Sequence, residues 1–409
     1  MSTLGNIIVG QSGGPTSVIN SSLAGVFKTA KDDGARTIYG MRNGIQGLLE
    51  NRFVDMKEGI KSDLDVEILK RTPSSYLGSC RYKLPDVEKD EKTYENIFAI
   101  LKRLEIDHFF YIGGNDSMDT IKKLSAYAKA KSEKITFVGV PKTIDNDLAV
   151  TDHTPGFGSA AKYIGTSVKE IIRDALVYDM KMVTVVEIMG RNAGWLTASA
   201  ALAKTEECDG VDMIFLPELD FDLNLFADKV KKMQEKKKAL VIAVSEGLKT
   251  ADGTYVCKMG DSITFKDSFG HTNLGGTGMF LANKLAAELG CKTRTVDFST
   301  LQRCAAHITS RVDVEEAFAA GTHAVKAAFK GETGKVVVFN RVSSSPYAML
   351  TELADVAKIA NVEKQVPSEW IINDGTYISD EFLKYAKPLI QGEIAPYMVE
   401  GLPRHLVLR

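Results

Sequence analysis

Cysteine, surplus basic charge and long apolar runs are all scarce in this sequence. Its 409 residues include five widely spaced cysteines with no CxxC pair, so we expect neither a disulfide framework nor a zinc site. The 51 basic and 53 acidic side chains give a net charge of −2, which does not favour a nucleic-acid partner. No stretch approaches the roughly 18 apolar residues of a membrane helix, and no basic segment precedes an apolar run at the start. We therefore expect a cytoplasmic protein with no membrane or nucleic-acid partner.

A repeated strand, turn and helix pattern predicts an α/β fold. Residues 6–10 and 108–112 are short apolar runs, and each is followed by a glycine turn and a helical pattern, over 18–31 and 118–131. Further strands are predicted near 135–140, 182–188, 211–216, 240–244 and 293–298. The order is typical of parallel sheets, and the length allows two or three domains. A domain boundary is expected near 155–158, with a return crossing near Arg303, and residues 342–347 are interpreted as a loop.

Gly13 and Gly14 stand between the first strand and its helix. Ligands of open α/β sheets bind where strand ends meet helix N-termini, and glycine lets the backbone approach a phosphate. The pattern is equally typical of a tight turn with no ligand.

Asn115 and Asp116 occupy the corresponding turn after the strand at 108–112. A carboxylate beside a phosphate cradle is favourable when a divalent cation bridges them, and Mg²⁺ prefers oxygen ligands and phosphate partners. The alternative is that Asp116 or Ser117 simply caps the helix.

Lys142, Thr143, Asp145 and Asp147 follow the strand at 135–140, so they lie at the predicted ligand-binding edge. Two carboxylates beside a lysine could supply a general base and stabilise a phosphoryl group in transfer. An Asx-rich turn with a solvated lysine would give the same pattern.

Two later strands also end in polar residues that suit a sugar phosphate. Met189, Gly190 and Arg191 follow one strand, and Glu246, which could accept hydrogen bonds from sugar hydroxyl groups, follows another. Further candidate cations, each of which could instead be a surface residue, are Arg81, Arg294 and Arg303.

In this order the motifs resemble the phosphofructokinase family, and its pyrophosphate-dependent branch most closely, over roughly residues 5–305. The segments that carry the resemblance are Gly13-Gly14, Gly78-Ser79-Cys80-Arg81, Gly113-Gly114-Asn115-Asp116-Ser117, 141–147, Met189-Gly190-Arg191 and Glu246-Gly247. The resemblance implies two Rossmann-like three-layer domains. Residues 1–157 with about 303–365 would bind the phosphoryl donor, and 158–302 with about 366–409 the sugar phosphate. It also implies Mg²⁺-dependent, reversible phosphorylation of fructose 6-phosphate at its 1-hydroxyl in glycolysis and gluconeogenesis.

The resemblance assigns a role to each candidate residue. Asp145 would be the base, flanked by Thr143 and Asp147, which would hold the substrate or the metal shell. On the donor side, Gly14 would contact pyrophosphate, while Arg81 and Lys142 would neutralise the phosphoryl group. On the acceptor side, the sugar phosphate would be bound by Met189, Gly190, Arg191, Glu246, Arg294 and Arg303. One arginine of such sites usually comes from a neighbouring subunit, so a homodimer or tetramer is implied.

Donor choice depends on Asp116. ATP-using members of the family typically have glycine here, and an aspartate would occupy the space of the α-phosphate and repel its charge. At the neighbouring position Asn115 departs from the family's usual acidic metal ligand. The alternatives left open are an ATP-dependent phosphofructokinase that tolerates Asp116 and a non-catalytic regulatory relative.

Overall fold

Two β-sheets organise the chain in a computed structural model that describes residues 5–260 and 274–408. The larger sheet contains β1 (Asn6–Gln11), β2 (Ile38–Met41), β3 (Phe53–Asp55), β4 (Ile106–Gly113), β5 (Thr136–Pro141) and, from late in the chain, a hairpin. The smaller sheet contains β6 (Met182–Ile188), β7 (Met213–Phe215), β8 (Ala239–Ser245) and β9 (Lys292–Asp297). The late hairpin is β10 (Lys335–Ser344) with β11 (Tyr347–Asp355), and two-residue strands follow: β12 (Ile371–Ile372), β13 (Tyr377–Ile378), β14 (Met398–Val399) and β15 (Leu402–Pro403).

Helices connect the strands and cover the sheets. Those before β6 are α1 (Ile19–Asp32), α2 (Gly44–Leu49), α3 (Met56–Gly59), α4 (Asp63–Arg71), α5 (Glu91–Arg103), α6 (Asn115–Ala130) and α7 (Phe157–Ala175). Those after β6 are α8 (Trp195–Ala198), α9 (Leu223–Gln234), α10 (Thr277–Leu289), α11 (Leu301–Cys304), α12 (Arg311–Phe329) and α13 (Asp380–Ala386).

The larger sheet has the strand order β11-β10-β5-β4-β1-β2-β3, and only its two edge strands are antiparallel to their neighbours. Strand β1 is buried on both faces, since Ile7 and Val9 pack into one core cluster and Ile8 into another. A strand covered on both sides gives a continuous apolar run, which is why its sequence shows no alternation.

The smaller sheet, ordered β7-β8-β6-β9, is parallel throughout. It also has a core on each face: Val186 packs with α7 on one side, and Val185 packs with α10 on the other. The α/β class with mainly parallel sheets, predicted from the sequence, is therefore confirmed.

The late chain differs from the sequence-based expectation. The predicted loop at 342–347 is too long. Strand β10 continues to Ser344 and β11 begins at Tyr347, so only residues 345 and 346 lie between the strands. Near the C-terminus, Leu406 and Leu408 pack against the core of the larger sheet, although residues 366–409 were expected to belong to the other half. Strands β10 and β11 are stabilised by pairing with other strands of the sheet, and local sequence patterns do not show this pairing.

Across residues 5–260 and 274–408, no helix is both long enough and apolar enough to cross a membrane.

Candidate active site

A cleft of about 1110 Å³ opens where strands of both sheets end. Its walls come from the segments that follow β1, β4 and β5 of the larger sheet and β6, β8 and β9 of the smaller one. Carboxyl ends of parallel strands are the usual place for ligands in α/β folds.

Most predicted site residues line this cleft. They are Gly14, Arg81, Asn115, Asp116, Lys142, Thr143, Asp145, Asp147, Met189, Arg191, Glu246 and Arg303. Gly190 lies directly behind the wall, where its amide is 3.5 Å from Glu246 Oε1. Arg294 is the exception among the predicted residues: it lies within β9 and its Nη1 atom pairs with Asp174 Oδ2 at 2.7 Å, away from the cleft.

The glycine turn and Lys142 are in direct contact. Lys142 is only 3% exposed, and its Nζ atom donates a hydrogen bond of 2.7 Å to the carbonyl oxygen of Gly14. Gly13 has a φ of +75°, and a β-carbon there would lie 3.2 Å from Lys142 Nζ. Glycine therefore serves both the backbone conformation and the close approach of the lysine. The interpretation of Lys142 as a solvated turn residue is wrong.

Three cationic side chains, those of Lys142, Arg81 and Arg303, lie near the glycine turn. Burial lowers the pKa of Lys142 to about 8, and Arg81 and Arg303 add to this by charge repulsion. Burial, followed by repulsion from Arg81, likewise lowers the pKa of Arg303. Three cations held close together in one cleft suit a polyanionic ligand.

The loop after β5 holds the two predicted aspartates. Thr143 Oγ1 donates to Asp145 Oδ2 at 3.2 Å and accepts from the Asp145 amide at 3.1 Å, which fixes the carboxylate. Asn146 between the two aspartates has a φ of +56°. Its amide group is held by Tyr385 and by the backbone of Thr154.

Three carboxylates, those of Asp145, Asp147 and Glu246, line the same cleft as these cations. Burial raises the pKa of Asp145, against the opposing effects of Thr143 and Lys142. Burial first, and then repulsion from Asp145, raises the pKa of Asp147 to about 7, and burial raises that of Glu246 to about 7 as well. Perturbed carboxylates that converge in one cleft are typical of catalytic sites.

The segment after β6 bends tightly into the cleft. Gly190 has a φ of +141°, and Ser245 Oγ donates to its carbonyl oxygen at 2.5 Å. A side chain at Gly247 would collide with the carbonyl group of Arg191. Glycine at 190 and 247 therefore allows Met189 and Arg191 to reach the cleft wall beside Glu246.

Asn115 and Asp116 form the first turn of α6. The capping residue of this helix is Gly114, with no side-chain capping bond, so the interpretation of Asp116 or Ser117 as a cap is wrong. Asn115 Oδ1 is buried without a hydrogen-bond partner in the described structure. An orphaned buried oxygen beside a carboxylate fits a hard cation such as Mg²⁺. Within residues 5–260 and 274–408, no group of three or more His, Cys, Asp or Glu side chains could hold a metal ion.

Several cleft residues have no counterpart among the sequence predictions. Glu187 points into the cleft from β6 and accepts from the amides of Gly276 and Gly278, at 3.1 and 2.8 Å. Glu363 reaches the wall from a late segment without a local motif. The polar residue at the end of a buried strand could have revealed Glu187, whereas no sequence signal marks Glu363.

The cation-lined glycine turn and the buried carboxylates, in a cleft between two mainly parallel sheets, define the class as an α/β phosphotransferase. A family model described as phosphofructokinase matches residues 6–328. The chain belongs to the phosphofructokinase family.

Individual relatives and a solved structure match this chain over nearly its full length. The chain is 43% identical to the pyrophosphate–fructose 6-phosphate 1-phosphotransferase of Xanthomonas campestris pv. campestris, over 100% of this chain and 97% of the relative. It is 40% identical to the protein of the same name from Halomonas elongata, over 98% and 95%. A solved structure of a pyrophosphate-dependent phosphofructokinase from Nitrosospira multiformis matches with a TM-score of 0.88 at 37% identity, covering 98% of this chain and 95% of that one.

Proposed function

We propose that this chain transfers a phosphoryl group from pyrophosphate to the 1-hydroxyl of fructose 6-phosphate, giving fructose 1,6-bisphosphate and phosphate. The observation that carries the proposal is the contact of Lys142 Nζ with Gly14, in a cleft where Asp145 faces the same cations. The reaction exchanges a phosphoanhydride for a phosphate ester and is reversible, so it serves glycolysis and gluconeogenesis.

Asp145 is the general base of this proposal. It removes the proton of the 1-hydroxyl as the sugar oxygen forms a bond to phosphorus and the bridging P–O bond of pyrophosphate breaks. The raised pKa of Asp145 suits proton uptake, and its two contacts with Thr143 hold it in one orientation. Asp147 lies beside it and adds negative charge to this wall.

The donor is bound by the cationic wall. Gly14 supplies close backbone approach, while Lys142 and Arg81 neutralise charge on the phosphoryl oxygens in the transition state. Because Lys142 is buried, its charge is less screened than at a surface.

The acceptor occupies the wall formed by the smaller sheet. Met189, Gly190, Arg191 and Glu246 bind the sugar and its phosphate. The placement of the strands supports most of the division that we propose, in which 1–157 with about 303–365 binds the donor and 158–302 with about 366–409 the sugar phosphate, whereas Leu406 and Leu408 pack with the larger sheet. Strands β1 to β5 and the β10–β11 hairpin fall in the first set and β6 to β9 in the second.

Asp116 selects the donor. Its position on the cleft wall next to Asn115 supports a steric and electrostatic barrier to the α-phosphate of ATP. Pyrophosphate ends before that point. The ATP-dependent alternative has no comparable support, since the full-length relatives carry pyrophosphate in their names.

The divalent metal of the reaction is Mg²⁺ in this proposal, held by Asn115 and Asp116. When bound, it neutralises phosphate oxygens of the donor and orients them. The orphaned Asn115 Oδ1 atom supports this assignment.

The working assembly is a homodimer or tetramer in the cytoplasm. Arg294 lies outside its own chain's cleft, which supports a role in the 6-phosphate site of a neighbouring subunit beside Arg303. The five cysteines are all free thiols, which suits a reducing compartment.

The test is a coupled assay of the purified chain with fructose 6-phosphate, Mg²⁺ and either pyrophosphate or ATP. We expect turnover with pyrophosphate and the reverse reaction with phosphate and fructose 1,6-bisphosphate. Turnover with ATP alone would refute the donor assignment, and silence with both donors would favour a regulatory relative.

A further inference from the structure

Residues after 328, beyond the family match, contact the loop 146–153, which includes Asp147 and directly follows Asp145. The matched region ends at residue 328, yet residues of β10, of the segment 363–366 and of α13 contact the loop 146–153. This loop contains two non-glycine residues with positive φ, Asn146 at +56° and Val150 at +67°. Such backbone persists only when its surroundings enforce it.

Lys364 holds the loop at three points. Its backbone amide donates to the carbonyl oxygen of Asp147 at 2.7 Å. Its Nζ atom donates to the carbonyl oxygens of Thr151 and Asp152, at 3.1 and 2.7 Å. Burial lowers the pKa of this lysine to about 8, and these carbonyl groups replace part of its hydration.

Tyr385 holds the two ends of the loop together. Its hydroxyl oxygen accepts from Asn146 Nδ2 at 2.7 Å and donates to the carbonyl oxygen of Asp152 at 2.8 Å. Arg341 supports this corner, because it donates to Asp152 Oδ1 at 2.8 and 3.0 Å and to the Tyr385 carbonyl oxygen at 2.9 Å.

The same segment reaches the acceptor wall. Trp195 Nε1 donates to the carbonyl oxygen of Lys364 at 2.9 Å, and its ring lies 5.1 Å from Lys364 Nζ. Gln365 Nε2 donates to the carbonyl oxygen of Asn192 at 3.2 Å, next to Arg191. Lys364 and Gln365 are thus hydrogen-bonded both to the loop 146–153, called the base loop below, and to the loop after β6 on the sugar-phosphate wall.

We propose that Lys364 and Tyr385 are positioning residues for phosphoryl transfer, fixing the base loop relative to the acceptor wall. Neither touches the reacting atoms; both act through the backbone next to Asp145 and Asp147. The inference rests on the proposed function and deepens it. A misplacement of reacting groups by about 1 Å can cost roughly 100-fold in rate, so loss of these bonds should lower kcat.

The experiment compares Tyr385→Phe and Lys364→Met with the unsubstituted full chain. The matched control is Tyr94→Phe, since Tyr94 is 1% exposed and donates one hydrogen bond of 2.6 Å to Pro85, outside the cleft wall. The readouts are kcat and KM for pyrophosphate, fructose 6-phosphate binding by calorimetry, and melting temperature. Calorimetric stoichiometry counts the folded sites, so kcat is expressed per competent site.

We expect both test variants to lose roughly 10- to 100-fold in kcat, with fructose 6-phosphate affinity within about twofold of the parent. Tyr94→Phe should lower the melting temperature without lowering kcat. The inference is overturned if the parent turns over pyrophosphate and both test variants keep its kcat per site, or if Tyr94→Phe loses as much. A parent that is silent with pyrophosphate refutes the proposed function instead, and the inference with it.

Discussion

Thr143 and Asp145 are bonded to each other twice: the threonine hydroxyl donates to Asp145 Oδ2 at 3.2 Å and accepts from the Asp145 amide at 3.1 Å. The reciprocal bonds fix the orientation of the carboxylate relative to its own backbone. A base held this way loses little entropy when the substrate hydroxyl arrives.

Replacing Asp145 by Asn should remove the base while keeping its shape. We expect kcat to fall by about 10²- to 10⁴-fold, with KM for fructose 6-phosphate little changed. The measurement is the initial rate with pyrophosphate over a range of pH; in the parent, activity should decline as pH falls through the raised pKa of Asp145. Asp119→Asn is the control, because Asp119 is buried on α6 without lining the cleft. Full activity of Asp145→Asn would rule out the assigned base.

Replacing Asp116 by Gly should make room for ATP. We expect KM for ATP to fall and ATP-dependent turnover to rise relative to the parent, because both the steric and the charge barrier are removed. Asp116→Asn is the matched variant, since it removes charge but keeps size. A gain in Asp116→Gly alone would identify volume as the barrier. Because Asp116 is also proposed to hold Mg²⁺, pyrophosphate-dependent turnover of each variant is measured alongside, and no gain with ATP in variants that keep this turnover would contradict the donor assignment.

Replacing Asp147 by Asn should stabilise the unliganded protein while impairing turnover. Burial raises its pKa from 3.8 to about 7, so the folded state binds more protons than the unfolded state between these values, and stability falls as pH rises through this window. We expect the variant to melt above the parent near pH 8, with the difference vanishing near pH 4.

Asp86→Asn provides a control of opposite sign. Hydrogen bonds from Lys89 and Lys123 lower the pKa of this exposed carboxylate to about 2, so its contribution to stability is present at neutral pH and is lost in acid. Thermal unfolding at several pH values checks both variants. A parent more stable than Asp147→Asn near pH 8 would contradict the expectation for Asp147.

Mixing two inactive variants should restore activity if each active site contains residues of two subunits. Arg294→Ala removes the cation that one subunit would lend, and Asp145→Asn removes the base of the receiving subunit. A hybrid dimer then contains one intact site, and random exchange predicts recovery of about a quarter of parental activity. The assay follows activity after co-refolding; no recovery, with hybrids verified by mass, would place Arg294 outside a shared site.

The donor side of the cleft was largely predictable from sequence because its groups follow strand ends. Lys142, Asp145 and the glycine turn come together since parallel strands align their carboxyl ends, which hydrophobic runs reveal. Arg294 belongs to the predicted strand at 293–298 and lies within β9, opposite Thr184. A strand places its mid-strand side chains on the sheet faces, away from the ligand-binding edge.

The contributions of the late chain were not predictable. Lys364 and Tyr385 act through carbonyl groups more than 200 residues earlier in the chain. Bonds to backbone oxygens require no particular residue type at the accepting position, so neither end carries a motif. The β10–β11 hairpin was missed for the same reason, because its pairing partner in the sheet, β5, lies far back in the chain.

The hydrogen bonds of Lys364 and Tyr385 to the base loop also have a consequence for synthesis by the ribosome. The whole family-matched region, through residue 328, is translated before Lys364 and Tyr385 emerge. A nascent or prematurely terminated chain can therefore contain every residue to which we assign a catalytic or substrate-binding role while the loop still lacks its anchors. Catalytic competence would then arrive late in translation, limiting turnover by incomplete chains.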